Sequence, residues 1–470
     1  VACASGRLVQ FDANGLRLEL DVAGDLRDVV IDDVTGKLWV SRFKSAEVLL
    51  VDRSGPLEVF RVPGFVDELP PSFVDSEFDP AVAWRMVADP EGGVVIVHQR
   101  ARLTPVDIRV PSEPVPPEVE RERPPVYYSP VELIPAPVLP DDTVCSGIVH
   151  GALTRLDADR SQETTPAIRA ASLPTDLAIG PDGTAYVAAA GAREGTRADA
   201  SVIAIDGSAF APGSGCYEPA PVVQAEASIV TSVVVAPTGE VIALGEEPLE
   251  LTVDGEPRYG EALVGNPAPL RQFHQNPSFG VTCAACHPEG HEDGHTWVFR
   301  TAAGDIQRRT QAMGAGTMET QPFHWDGEFE TLGELMEEVW GRRMGGGTLS
   351  EAEVDGVGDY IDQFARPRFA DQLPSLVADG RDVFERAACA ACHSGERFTD
   401  NASYDVGTGG TFQVPSLVGV AARTPLMHDG CAPTLAARFF DTACGGDRHG
   451  VLQGLDQSDY EALIAYLRTL

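Results

Sequence analysis

Basic residues are scarce in this 470-residue chain: 35 Lys and Arg stand against 71 Asp and Glu, a formal net charge of -36. Such a balance repels phosphate backbones and anionic membrane surfaces and attracts basic proteins, so nucleic acid is excluded as an expected partner. Long apolar runs are missing too: none approaches the roughly 18 to 20 residues that span a bilayer, and no transmembrane segment is expected. There is no initiating methionine before Val1, so any signal peptide is read as already removed. The length exceeds one ordinary domain two to three times over, which predicts two or three folding units with ample core.

Cysteine is used sparingly and in a pattern. Of nine, four fall in two CxxCH motifs, leaving Cys3, Cys145, Cys216, Cys431 and Cys444, an odd number. Val1-Ala2-Cys3 has the look of a bacterial lipoprotein cleavage site, and a lipid anchor on Cys3 at the outer membrane is a minor expectation, since cleavage there would have removed Val1 and Ala2. Cys431 and Cys444 are 13 residues apart and suit a disulfide. Cys145 with Cys216 is a second candidate pair.

Four stretches in the first 250 residues share an apolar run, a Gly-containing turn and a second apolar run: VVIDDVTGKLWVS, RMVADPEGGVVIVH, LAIGPDGTAYVAA and VVVAPTGEVIALG. Their glycines (Gly36, Gly92, Gly183 and Gly239) are separated by 56, 91 and 56 residues, which suits hairpins from successive blades of a propeller. Companion strands are expected at Arg7 to Asp12, Glu47 to Asp52, Ala152 to Asp157 and Ser201 to Asp206. Residues 1–262 thus read as a β-propeller of five to seven blades, similar to propellers of the NHL and YVTN type, with a pair of β-sandwiches as the alternative. Residues 105–140 hold eleven prolines and read as an extended surface insertion between two blades. From about residue 263 the apolar spacing turns helical, in FETLGELMEEVWGRRM, LSEAEVDGVGDYIDQF, SLVADGRDVFERAACAACH and DQSDYEALIAYLRTL. The fold class is therefore multidomain β plus α, the propeller being followed by two tandem, mostly α, c-type cytochrome modules at 263–366 and 367–470.

Those modules are set by Cys283-Ala-Ala-Cys286-His287 and Cys389-Ala-Ala-Cys392-His393. Two thiols at this spacing can add to the two vinyl groups of one haem, and the adjacent imidazole then lies against the iron. Zinc ribbons pair their CxxC units at roughly 15 to 20 residues, whereas Cys283 and Cys389 are 106 apart. Two covalently bound haem c groups are expected, with His287 and His393 as proximal ligands. Because such attachment occurs outside the bacterial cytoplasm, a periplasmic or otherwise extracytoplasmic location follows.

The modules also repeat each other. QPFHWDGEFETL (321–332) overlies TPLMHDGCAPTL (424–435), and RRMGGGTLSEAEVDGVGDYI overlies DRHGVLQGLDQSDYEALIAYL with one gap, placing Met344 opposite His449. These residues lie 61 and 60 positions after the first cysteine of their modules, and are read as the distal axial ligands. Met344 as a core filler, His449 as an ordinary surface histidine and Met427 as a rival ligand are the alternatives. His98 and His150 read as satisfied structural histidines.

On FHWDG after the first CxxCH and FQVPSLVGVAARTPLMHDG (412–430) after the second, residues 263–470 resemble the bacterial di-haem cytochrome c peroxidase family, which includes the methylamine dehydrogenase maturation enzyme. The resemblance implies that Trp325 lies between the haems and relays electrons, a buried structural aromatic being the other reading, and it implies calcium between the modules. Departures are clear. Met344 occupies the place of the family's distal acidic residue, none of Glu337, Glu338 or Glu351 being in register; Val418 replaces the usual arginine after Pro-Ser-Leu; and His291 and His295 lie closer to the first motif than the family's displaceable histidine.

Peroxide chemistry needs an open or easily opened iron position, which two six-coordinate haems do not offer. The leading expectation is therefore an electron-transfer protein with a basic redox partner, a cytochrome or copper protein, docked on the acidic surface and the propeller as docking platform. A peroxidase or maturation-type oxidase whose first or second haem opens on reduction is the alternative. A propeller-centred function with the haems as redox sensors is the third reading.

Overall fold

The computed structural model describes all residues except 33–34, 68–74, 108–146, 158–160, 169–172, 191–199, 211–215, 218, 220, 226–229, 246–249, 254–255, 260–272, 274–280, 302, 315, 345–346 and 365–371. Most of the Pro-rich insertion, Cys145 and the expected boundaries at 262/263 and 366/367 lie outside the described residues, as does any pairing of Cys145 with Cys216.

All four Gly-turn stretches form antiparallel hairpins. Leu26–Ile31 pairs with Leu38–Arg42, Ser76–Ala88 with Val94–Arg102, Pro174–Ile179 with Ala185–Ala189, and Val230–Val235 with Val241–Gly245. Their turn glycines all have positive φ, between 68° and 105°, where a Cβ would be strained. The companion strands are present as Arg7–Asp12, Val48–Asp52, Val149–Leu156 and Ala200–Ile205.

Two four-stranded meanders, Leu26 to Phe60 and Pro174 to Ala225, flank a longer curled sheet. At its centre Ser76–Ala88, 13 residues long, bends through two irregularities, at Ala81/Ala83 and Ala83/Arg85, with Val82 at φ 35°. Such bulges raise local twist and let a strand curl away from the plane of its neighbours. The N-terminal region is thus mostly β and propeller-like in its succession of meanders, with one sheet curled into a half-barrel.

The expected helices form at Leu332–Leu335, Glu351–Asp362, Pro374–Arg386 and Gln457–Leu467. Capping boxes start three of them, at Thr331/Glu334, Ser350/Glu353 and Asp456/Asp459. The mostly helical expectation does not hold ahead of them, because Thr296–Thr301 and Gly304–Arg309 form a β-hairpin. Its first strand continues the N-terminal region, Val106–Asp107 pairing with Phe299–Arg300 in parallel.

Core packing divides the chain differently from its motifs. Trp84, Val95, Leu153 and Ile203 of the β region share one apolar core with Ala284, Ala285, Trp297, Trp340 and Ile361. The second module has its own, built on Val383, Phe384, Leu463 and Leu467. Its two long helices cross so closely that a Cβ on Gly380 would lie 1.9 Å from the Ala462 carbonyl oxygen.

One side chain joins all three parts. Lys44, one of two lysines in the chain, forms an ion pair with buried Glu292, and its ammonium also donates to the carbonyls of Ala422 (2.8 Å) and Thr424 (3.2 Å). Burial opposes the Glu292 charge, but Lys44, Arg309 and Arg423 outweigh it and hold this carboxyl below its usual range. Its contribution to stability is therefore full above about pH 4.5, the unfolded value, and is lost only as pH falls through the lower folded value. Lys44→Met leaves a buried carboxylate unpaired and is expected to cost about 3 to 5 kcal/mol in denaturant unfolding, with Lys44→Met/Glu292→Leu regaining most of it. A single variant as stable as the parent would remove the junction from the account.

Candidate functional site

The second CxxCH follows directly from the helix Pro374–Arg386. Ala388 takes a left-handed conformation (φ 59°), and the chain then makes a tight turn over Cys389–Ala391, closed by His393 N–H donating to the Cys389 carbonyl at 2.9 Å. His393 Nδ1 lies 3.1 Å from the Phe398 carbonyl oxygen. That contact suits an Nδ1–H donor, which fixes the ring and leaves Nε2 as the free lone pair.

Across from it lies His449, whose ring centre is 6.2 Å from that of His393 with the planes 30° apart. Two imidazoles bound to one metal through nitrogens at about 2 Å, with ~1 Å more to each ring centre, stand roughly 6 Å apart. The pair therefore fits one iron between them, and the donor set suits haem c. Burial, followed by the charge of Arg438, pushes His449 down to about 3, and burial also lowers His393, so both rings are neutral at ordinary pH. Neutral imidazole is the ligating form.

The loop that carries His449 is fixed from several directions. Thr434 caps the helix Leu435–Phe440, and Cys431 and Cys444 are joined with Cα atoms 5.8 Å apart. Gly445 has φ 102°, and a Cβ there would come 2.6 Å from the Val406 carbonyl oxygen. Arg438 Nη2 donates to the His449 carbonyl at 2.5 Å, and Val451 N–H to that of Ala387 at 2.9 Å.

The first motif repeats the proximal arrangement. Cys283–Cys286 is one helical turn, His287 N–H donates to the Cys283 carbonyl (2.7 Å), and His287 Nδ1 lies 3.2 Å from the His291 carbonyl oxygen. His291 thus touches the His287 ring through its backbone. His295 Nε2 is 3.0 Å from the Arg102 carbonyl oxygen, in the β region. Met344 ends the π-helix Met336–Arg343, its N–H donating five residues back to Val339 at 2.9 Å. Such turns recur at functional sites. Met313, Met318 and Met344 all pack in the apolar wall that holds Cys283 and Cys286; the spacing argument singled out only Met344.

Repetition extends to the contact between modules. The overlaid segments make equivalent bridges, Phe323 with Phe329 and Leu426 with Ala432, and His324 and Met427 both take positive φ. The next residues, Trp325 and His428, meet edge to face at 6.4 Å. Their backbones are held reciprocally: Gln413 N–H donates to the Trp325 carbonyl (2.8 Å) and Arg309 N–H to that of His428 (2.6 Å). The Trp325 indole N–H donates to the Arg309 carbonyl at 2.7 Å. Met427, the rival ligand, has its carbonyl 3.3 Å from Arg309 Nε and packs in the second module's core.

In the β region His98 is satisfied by the Gln99 carbonyl and the Thr154 hydroxyl. His150 is not: both ring nitrogens are buried without a partner beside Phe65 and Phe78. Among the described residues no group of three or more His, Cys, Asp or Glu side chains could hold a metal ion, so no calcium site is assigned. No described helix is long and apolar enough to cross a membrane.

Residues 377–470 match the family described as Cytochrome c. The C-terminal module is a cytochrome c domain, and covalently bound haem c with electron transfer through it follows from that assignment. Curated proteins give no match. Solved structures similar to the chain include hydrazine synthase of Kuenenia stuttgartiensis, 21% identical over 43% of this chain and 86% of that one, with a TM-score of 0.38. A MauG-like protein associated with microbial copper homeostasis is 19% identical over 40% and 82%, TM-score 0.31. A gluconolactonase of Xanthomonas campestris is 12% identical over 51% and 62%, TM-score 0.27.

Trp325→Phe leaves the Arg309 carbonyl without its donor and is expected to cost about 1 to 2 kcal/mol in thermal unfolding. A stability change within error would mean that the indole bond does not hold the module contact.

Proposed function

We propose that this chain is an exported di-haem c-type cytochrome that transfers electrons, with both haems six-coordinate. Cys389 and Cys392 would hold the second haem and His393 and His449 its iron. Cys283 and Cys286 would hold the first, with His287 and Met344 as its axial ligands. Bound in these sites, haem c supplies reversible one-electron exchange. The observation that carries the reading is the His393 and His449 ring pair, with centres 6.2 Å apart, a spacing at which both imidazoles would ligate one iron and close the second haem.

The protein's own groups explain the expected order of potentials. A thioether at Met344 favours the reduced iron, whereas two imidazoles leave the second site lower. Trp325 and His428 give the modules a buried aromatic contact in place of a solvent gap. The net charge of -36 suits a basic redox partner, a cytochrome or copper protein, with the propeller-like region as its platform and the periplasm as its compartment.

The peroxidase or maturation-oxidase reading keeps one supporting observation, the buried position of Trp325 at the module contact. Carbon monoxide separates the two, because it binds ferrous haem only where a ligand is absent or leaves. An unchanged visible spectrum of the fully reduced protein on adding carbon monoxide supports two closed haems, whereas a shift in about half of the haem would replace this reading with the enzyme.

His449→Ala is expected to open the second haem to carbon monoxide and Met344→Ala the first; Met313→Ala and Met318→Ala should leave ligation unchanged. Cys431→Ser should loosen the His449 loop and raise carbon monoxide binding at that haem. An unchanged spectrum would separate the disulfide from ligand positioning.

A further inference from the structure

The inner face of the curled sheet gathers a guanidinium, two imidazoles and two phenyl rings. Arg100 on Val94–Arg102 and His150 on Val149–Leu156 stand directly opposite each other in the antiparallel ladder, so their side chains share one face. That face is concave. Phe65 and His150 belong to strands three apart in the sheet, about 14 Å if it were flat, yet their rings are 5.5 Å apart. Phe78 closes on the same imidazole at 4.7 Å, and the Arg100 guanidinium sits over the Phe65 ring at 5.2 Å.

The polar groups gathered there are unequally served. His98, two residues before Arg100 on the same face, is satisfied by the Gln99 carbonyl and the Thr154 hydroxyl. Arg100 gives Nη1 to the Thr165 carbonyl at 3.2 Å, but its Nε is buried without a partner, and among the described residues no carboxylate pairs with the guanidinium. Both ring nitrogens of His150 are buried without a partner as well. Orphan nitrogens on two side chains that adjoin across one ladder are costly to bury. The cation lacks a counter-charge, and the imidazole has an N–H to donate whichever tautomer it takes.

Water would satisfy the N–H groups but not the charge, whereas an anion satisfies both. The walls limit its size. Arg100 and His150 are each only 2% exposed, which suits a small monovalent ion and excludes a phosphate ester or a dicarboxylate.

We infer that the inner face of the curled sheet is a binding site for one small monovalent anion, of the halide or nitrite class, held between Arg100 Nε and a ring N–H of His150 beside Phe65. Bound there, the anion joins the two strands that carry Arg100 and His150 under the strand of Phe65, which pairs with neither. The site backs onto the first CxxCH turn, because Gln99, on the opposite face of the Arg100 strand, donates to the Ala285 carbonyl at 3.3 Å. The inference does not depend on how either haem is ligated.

The test uses the full-length holoprotein, exhaustively desalted into gluconate buffer. One portion is unfolded and its released small anions are counted by ion chromatography. Into another, sodium bromide or sodium nitrite is titrated at constant ionic strength, with sulfate as the reference, and binding is followed by calorimetry and thermal unfolding. The expected result is one small anion retained per chain, or saturable binding of bromide or nitrite at one site that raises the unfolding midpoint where sulfate does not; the tighter of the two separates halide from nitrite. Arg100→Met and His150→Phe should each abolish retention or weaken binding at least about tenfold, and the exposed control Arg381→Gln should leave it unchanged.

No retained anion together with no saturable binding overturns the inference, as does binding that survives both substitutions. Where Arg100→Met does not fold, His150→Phe and a bromide-soaked crystal of the wild type decide. An anomalous peak beside Arg100 Nε supports the site, and water there, with bromide only on exposed arginines, refutes it.

Discussion

A single ammonium group at Lys44 sets how the parts of this molecule meet. It comes from the turn between two strands of the first meander, pairs with Glu292 five residues after His287, and donates to carbonyls at the start of the second module's repeated segment. Charge buried in this way specifies geometry more than it adds stability, since an ammonium satisfied by one carboxylate and two carbonyls has few alternative seats. The proximal side of the first motif is held in the same frame, because the next residue back from Glu292, His291, supplies the carbonyl beside the His287 ring.

Within that frame the two CxxCH segments are solved by the same local means. Each motif closes with an N–H bond from its histidine to its first cysteine, and each histidine ring rests by Nδ1 on a carbonyl four or five residues later. The modules then diverge at the two positions that the repeat puts in register, Met344 and His449. One offers a methionine at the end of a π-turn in an apolar wall; the other offers a histidine in a loop held by Arg438 and by Cys431–Cys444. Where the modules touch, the divergence narrows to one pair of equivalent positions, Trp325 against His428.

Much of this was legible because its causes are local. Turn glycines needing positive φ, period-two and period-3.6 patterns and capping residues all act within a few positions, and the hairpins and helices they predicted are present. The hairpin Thr296–Arg309 was missed because it is completed by Val106–Asp107, nearly two hundred residues earlier in the chain. His98 was rightly read as satisfied, but His150 was not, since satisfaction is decided by neighbouring strands and not by the residue type. The anchoring roles of His291 and Phe398 reside in backbone carbonyls, which leave no mark on side-chain identity. Arg438 left a faint one, a charged residue inside the apolar run LAARFF.

The unequal sharing of cores bears on how the protein is made. Ala284 and Ala285, between the first pair of cysteines, are almost wholly buried among strands that precede them in the chain, and the Gln99 side chain reaches the Ala285 carbonyl. Cys283 and Cys286 themselves stay partly exposed at the edge of that wall. The second motif has no such cover, because its core is drawn entirely from its own segment. The first CxxCH turn therefore reaches its final packing only together with the β region, whereas the second module can complete its core by itself.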